Sequence, residues 1–239
     1  MKKSLHIIIF LALCWILCLS PAVFAAEGNT VTVDGINYVI TTMPNGGNNG
    51  TVMVGDNQAY SGDSVNIPGV IVVTATGEND GAYDVVGIGD GAFAGCTNLK
   101  TVTLQEGLTT IGSLAFANSG VTSVTIPESV MRIGDEAFAG CTNLGSVTLQ
   151  EGLTTIGSRA FEGSGLVKID LPTSVQSIGA GAFANCGSLE SCSYPLSRLD
   201  IIFGAGALKI AQSSGPLFCR RECRFLKGAL SVVAQASWT

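Results

Sequence analysis

Ile88-Gly-Asp-Gly-Ala-Phe93 returns as Ile111-Gly-Ser-Leu-Ala-Phe116, Ile133-Gly-Asp-Glu-Ala-Phe138, Ile156-Gly-Ser-Arg-Ala-Phe161 and Ile178-Gly-Ala-Gly-Ala-Phe183, with starts 23, 22, 23 and 22 residues apart. A fixed period in the twenties predicts a solenoid, in which each repeat buries its apolar face only by stacking on its neighbours. The lengths alternate because Cys96-Thr-Asn-Leu99 of a long repeat becomes Ser119-Gly-Val121 in a short one. Residues 88–110 and 133–155 differ at three positions only (Gly91/Glu136, Lys100/Gly145 and Thr101/Ser146), so duplication of a 45-residue pair of repeats is the simplest history. Function in such a chain is spread along an array rather than held at one unique site.

Within a repeat, Val102 and Leu104 alternate with Thr101 and Thr103, the period of a half-buried strand. The same alternation recurs at Val124 and Ile126, Val147 and Leu149, and Ile169 and Leu171, which predicts one short strand per repeat. Asp90, Ser113, Asp135 and Ser158 stand where an N-cap belongs, each before an Ala-Phe pair that one helical turn would aim inward. Ala180 lacks the capping oxygen, so the fifth copy is expected to fray first. Burying the Ile, Phe, Leu, Val and Leu positions at roughly 1.5–3 kcal/mol each gives a gross driving force on the order of 10 kcal/mol per repeat, before entropy is subtracted.

The spacing Ile-Gly-x-x-Ala-Phe-x-x-Cys-x-x-Leu-x-x-Val-x-Leu resembles the BspA-like class of leucine-rich repeats of bacterial and some protozoal surface proteins, and the likeness is strong from residue 88 to about 195. Before the first repeat, Val33-Asp-Gly-Ile-Asn-Tyr38, Tyr60-Ser-Gly-Asp63, Ile67-Pro68 and Tyr83-Asp-Val-Val-Gly-Ile88 resemble the strand-rich lead-in of that family. From the residues alone, 28–87 are short Val/Ile/Thr/Tyr runs divided by turn clusters such as Pro44-Asn-Gly-Gly-Asn-Asn-Gly50. They read as a β-rich N-terminal cap over 26–87 that covers the open edge of the first repeat. The resemblance implies adhesion, to host extracellular-matrix proteins or to other cells, without naming a ligand.

The ends differ from the array. Lys2 and Lys3, the apolar run Ile7–Leu19 and the small-residue site Val23-Phe24-Ala25 read as a secretory signal peptide over residues 1–25. The run is about 13 residues where a membrane span needs roughly 20. A leucine stands before both Cys14 and Cys18, where lipidation prefers a small residue. A secreted or cell-surface protein follows, with no stable membrane insertion once the leader is removed. Residues 27–190 hold 16 acidic and 4 basic side chains, a balance of −12 that excludes nucleic acid as a natural partner. Residues 191–239 hold 6 basic and 2 acidic ones, a balance of +4. Phe203-Gly-Ala-Gly-Ala-Leu208 echoes the fifth copy, so the basic tail over 196–239 reads either as a degenerate sixth repeat or as a poorly ordered segment foreign to the array. Lacking a cap, the fifth repeat would then expose its apolar end.

Chemistry is scarce. The only histidine, His6, lies in the leader, which removes histidine-based catalysis and zinc ligation from the mature chain. Cys96, Cys141 and Cys186 recur two repeats apart, about 10 Å if rungs stack at about 4.8 Å, too far for a disulfide, and read as small buried hydrophobes. Cys219 and Cys223, separated by three residues, read as free thiols, with mutual pairing or pairing to Cys192 as alternatives. Glu106 and Glu151 occupy equivalent positions at a similar two-rung gap, just past the inverting-glycosidase range of about 6.5–9.5 Å, and read as solvated surface groups. The chain is therefore read as a non-enzyme with no cofactor and no metal.

What an array offers instead is a face. Thr101, Ser123, Ser146 and Lys168 form one outward ladder, and Thr103, Thr125, Thr148 and Asp170 form a second beside it. A flat, hydroxyl-rich strip presents regularly spaced hydrogen-bonding groups to a protein or glycan, although threonine also serves strand propensity alone. The reading is an α/β repeat fold: a leucine-rich-repeat solenoid of short strands and short helical turns with a β-rich N-terminal cap, binding through its strand face. The alternative is a truncated or frameshifted repeat fragment with no function of its own.

Overall fold

Both the Val-x-Leu and the Ile-Gly positions of each repeat become strands, two per repeat where the alternation predicts one. The structure is a computed structural model that describes residues 28–45, 47–74, 80–193 and 202–207. The leader, residues 194–201 and the tail from 208, including Cys219 and Cys223, lie outside the described residues. The strands are β1 (Thr30–Val33), β2 (Ile36–Thr42), β3 (Gly50–Val54), β4 (Ser64–Ile67), β5 (Val70–Val73), β6 (Gly81–Ile88), β7 (Thr101–Leu104), β8 (Thr110–Ile111), β9 (Ser123–Ile126), β10 (Arg132–Ile133), β11 (Ser146–Leu149), β12 (Thr155–Ile156), β13 (Lys168–Asp170), β14 (Ser177–Ile178), β15 (Ser191–Ser193) and β16 (Ile202–Phe203).

They form two sheets. The first runs β1-β2-β3-β6-β8-β10-β12-β14-β16, with β5 also paired to β6; the second runs β15-β13-β11-β9-β7-β4. Pairing is parallel throughout the repeats, whereas β1-β2, β2-β3 and β5-β6 are antiparallel. One core fills the interior. Ile88, Ile111, Ile133, Ile156 and Ile178 enter it from the first sheet, and Val102, Val124, Val147, Ile169 and Cys192 from the second.

A column of phenylalanines runs through that core. Phe93, Phe116, Phe138, Phe161 and Phe183 are fully buried, with successive ring centroids 5.5, 5.2, 5.3 and 5.4 Å apart and planes within 10° of parallel. Each ring is fixed by its backbone. The N–H groups of Phe93, Phe116, Phe138 and Phe161 donate to the carbonyls of Ala115, Ala137, Ala160 and Ala182 in the following repeat, at 2.7–2.8 Å.

The predicted helical turns are corrected: no α-helix occurs among the described residues. In each copy the residue before Ala-Phe adopts positive φ (Gly91 64°, Leu114 58°, Glu136 56°, Arg159 53°, Gly181 64°), and so does a second residue four positions on (Gly95, Asn118, Gly140, Gly163, Asn185). A left-handed residue ends a right-handed helix, and the turn instead points its amides at the next repeat. The capping oxygens follow suit: Asp90 accepts from the N–H of Ser113 at 2.7 Å and Asp135 from that of Ser158 at 2.8 Å, joining repeats rather than starting helices.

This close stacking explains the glycine of every Ile-Gly pair. A Cβ on Gly134 would lie 2.6 Å from backbone atoms of Gly112 and Ser113, and one on Gly157 2.5 Å from the Gly134 carbonyl carbon. The fifth repeat is not left open, which agrees with the sixth-repeat reading of Phe203-Gly-Ala-Gly-Ala-Leu208 over residues 202–207. β16 pairs with β14, and Gly181 and Phe183 donate to the carbonyls of Ala205 and Ala207 at 3.1 and 2.9 Å, so residues 202–207 continue the array. Cys192 pairs with Ile169 and is buried in the valine position of β15.

Two stability measurements check these packing arguments. Gly134→Ala should cost about 1–3 kcal/mol through overpacking, whereas Gly145→Ala, with nothing within 4 Å of the added carbon, should leave the thermal midpoint unchanged; equal effects would remove the close-approach explanation. Leu114→Gly should raise the midpoint by a few degrees, about 1 kcal/mol, because Leu114 is 44% exposed and carries left-handed strain. A fall would show that its side-chain contacts outweigh the strain.

Candidate binding face

The second sheet carries the candidate site, because strand alternation sends Val102, Val124, Val147 and Ile169 into the core and the residues on either side to solvent. All eight predicted positions, Thr101, Thr103, Ser123, Thr125, Ser146, Thr148, Lys168 and Asp170, are exposed. The register aligns them. Thr101 pairs with Ser123, Ser123 with Ser146 and Ser146 with Lys168, while Thr125 pairs with Thr148.

The strip is one rung longer at each end than the repeats suggest. Ser64 and Asn66 of β4 pair with Thr101 and Thr103, and Lys168 and Asp170 pair with Ser191 and Ser193 of β15. The β4 rung precedes the first repeat, and the β15 rung belongs to the fifth copy, with Cys192 where the others have valine or isoleucine. The signals available were the Ser-x-Asn-x alternation before Pro68 and the Ser-x-Ser spacing of 191–193.

Its two halves differ in chemistry. Among the described residues, the hydroxyls of Thr101, Thr103, Ser123, Thr125, Ser146 and Thr148 make no hydrogen bond within the chain, so they are left to solvent or a ligand. At β13 the polar groups satisfy one another. Lys168 Nζ lies 2.8 Å from Asp170 Oδ2, and Ser193 Oγ donates to Asp170 Oδ1. Lys168 first, then the Ser193 hydroxyl, holds the Asp170 carboxyl below its ordinary range.

The other candidate groups serve the stack. Cys96, Cys141, Cys186 and Cys192 are buried thiols, and desolvation raises the pKa of each, that of Cys192 to about 11. They are more than small hydrophobes: Cys141 and Cys186 Sγ donate to the Phe116 and Phe161 carbonyls at 2.9 and 3.0 Å, and lie 3.4 and 3.3 Å from the buried hydroxyls of Ser119 and Ser164. The Cys/Ser alternation of long and short repeats thus gives two buried polar pairs, Ser119–Cys141 and Ser164–Cys186, each joining a short repeat to the long one after it.

Glu106 and Glu151 are exposed surface groups, as read, and each also reaches into the next repeat. Glu106 accepts from the N–H groups of Glu128 and Ser129 at 3.2 and 3.0 Å. Glu151 accepts from the N–H groups of Thr173 and Ser174, both at 3.0 Å, and from the Thr173 hydroxyl at 2.9 Å. Each carboxylate ties down the turn that follows Pro127 or Pro172 in the next repeat. These amide donors, Ser129 first for Glu106 and Thr173 first for Glu151, hold both carboxyls below the ordinary glutamate value of 4.5.

Comparison with known proteins gives a family. The model described as "BspA type Leucine rich repeat region" matches residues 82–197 in 6 copies. A leucine-rich repeat protein from Bacteroides ovatus is similar at 33% identity and a TM-score of 0.58, over 74% of this chain and 43% of that one. The pneumococcal vaccine antigen PcpA shares the fold at 24% identity and a TM-score of 0.57, over 72% of this chain and 51% of that one. A leucine-rich repeat protein from T. pallidum does so at 24% and 0.57, over 74% and 82%. The chain thus spans about half the length of the first two. No curated protein matches it. Among the described residues no helix is long and apolar enough to cross a membrane.

The glutamate ties make stability depend on acidity in a defined direction. A carboxyl lowered in the folded state contributes fully above its unfolded value and loses that contribution as pH falls through the folded value. The thermal midpoint should hold from pH 7 to near 5 and decline below the ordinary value of 4.5, and Glu151→Gln should flatten part of that decline. An identical acid limb in the variant would show that the Glu151 contacts do not act in solution.

Proposed function

Residues 82–197 are a BspA-type leucine-rich repeat region, and from the face that region builds we propose that this is a secreted or cell-surface adhesion protein. It recognises a host or cell-surface protein or glycan along the exposed strip of its second sheet. One observation carries the reading: six exposed hydroxyls lie on three adjacent rungs, Thr101-x-Thr103, Ser123-x-Thr125 and Ser146-x-Thr148, with no partner among the described residues. Parallel strands lie about 4.8 Å apart, so the strip repeats donors and acceptors at a spacing that an extended peptide or an oligosaccharide edge matches.

Further support comes from charge and from the relatives. The six-hydroxyl patch is neutral within an acidic array, which suits hydrogen bonding to uncharged ligand groups better than capture of anions. The leader-like N-terminus agrees with export, and one protein sharing the fold is described as a vaccine antigen. The ligand-contacting residues of this reading are Thr101, Thr103, Ser123, Thr125, Ser146 and Thr148, with Lys168 and Asp170 forming a charged boundary.

The test is solid-phase binding of the chain to a panel of matrix proteins, glycans and whole cells, beside a variant with Thr101, Thr103, Thr125 and Thr148 all changed to alanine. These side chains are exposed, so the variant should keep the wild-type circular dichroism and thermal midpoint. At about 0.5–1.5 kcal/mol per hydrogen bond, losing several should weaken saturable binding at least about tenfold. Unchanged affinity in the folded variant would move the site off this face, and absence of any saturable binding would count against adhesion.

A further inference from the structure

At the start of the array the two sheets part around an opening of about 560 Å³. Its floor is the end of the core, where Ile36, Tyr38, Val65 and Ile71 are buried. Val70 and Val72 form its rim, 49% and 60% exposed, the only large apolar pair on one strand left so open among the described residues.

Strand edges border this opening. Among the described residues β4 pairs only with β7, β5 only with β6 and β1 only with β2. On β4 the orientation of the backbone can be read directly. The N–H groups of Thr101 and Gln105 donate to the carbonyls of Asp63 and Ile67, each at 3.1 Å. Alternation along a parallel ladder then turns the N–H and C=O groups of Ser64 and Asn66 to the outer edge. The Ser64 carbonyl is taken by the Tyr60 hydroxyl at 2.5 Å, whereas the Asn66 amide and carbonyl have no partner among the described residues. Charge narrows the occupant. Residues 28–99 contain seven acidic side chains and no lysine or arginine, and Asp34 lines the opening itself.

We propose that this opening binds an extended peptide of alternating β-branched and basic residues, which adds as a strand to the outer edge of β4. Backbone pairing satisfies Asn66, apolar side chains cover Val70 and Val72, and a cation meets Asp34 at the opening. A second copy of the same acidic edge is disfavoured by like charge. The site is separate from the six-hydroxyl patch, although β4 ends the same sheet, so either can fail without the other.

The experiment titrates a fluorescently labelled acetyl-Lys-Val-Lys-Val-Lys-Val-amide against the full chain and follows anisotropy, with the Glu-Val analogue as control. The basic peptide should saturate and the acidic one should not, and bound peptide should slow hydrogen exchange of the Asn66 amide. Asn66→Pro removes the outward N–H while sparing the bonds to Asp63 and Ile67, and should weaken binding at least tenfold. Val72→Lys, at a rim position that is 60% exposed, should weaken it similarly without a change in thermal midpoint, which keeps the test intact if the proline variant fails to fold. Absence of saturation, equal binding of both peptides, unaltered Asn66 exchange, or full binding by Val72→Lys would each overturn the proposal.

Discussion

The hydrogen bond from a phenylalanine amide to the alanine carbonyl of the next repeat sets the terms for everything else in this chain. It holds at 2.7–2.8 Å between the first five copies, and so fixes the distance at which one backbone turn rests on another. At that distance no Cβ fits at the glycine of Ile-Gly. The amides must face along the array axis, which is achieved by left-handed residues at both ends of the turn. The rings then stack within 10° of parallel because the backbones beneath them are already parallel. Packing of this kind distributes stability as nearest-neighbour terms along one dimension.

Much of this was legible in the residues, for a definite reason. The four-residue strands carry two full periods of alternation, so Val102, Val124 and Val147 announced both their burial and the exposure of the threonines beside them. The two-residue strands β8, β10, β12 and β14 carry only one period, and no alternation rule detects them. The turn misled for a subtler cause. Asp90 and Asp135 in front of Ala-Phe satisfy every local rule for a helix start, yet their oxygens serve amides 23 residues away. Leu114, Glu136 and Arg159 have good helix propensity and sit at positive φ all the same. Stacking decides conformation there, and stacking is not local. For the same reason Glu106 and Glu151 looked idle, their partners being 22 and 23 residues on, and Ser64 and Asn66 joined the exposed strip without any share in its motif.

The division of polar groups follows from the same architecture. Side chains that reach along the axis are consumed by the adjacent repeat: the glutamates by amides, the thiols by carbonyls, the asparagine of Asn185 by Glu162. Those of β7, β9 and β11 that stand perpendicular to the second sheet find no partner among the described residues, because the next strand presents its own side chain at the same height. Unused hydrogen-bonding capacity thus collects on one face without any residue being selected for it individually. Among the described residues that face binds itself at β13, where a cation and an anion are two residues apart on one strand.

The two sheets differ in grip, and this gives the array a mechanical character. One side joins successive repeats through strands of three or four residues and the other through pairs of two. The short-strand side has fewer ladder bonds to stretch, so the stack bends more easily by opening there than on the broad face. Tension applied between its ends loads the inter-repeat bonds in series, and the turns peel one after another instead of breaking together. Stacking in one dimension thus makes the contacts between neighbouring repeats the units of mechanical resistance.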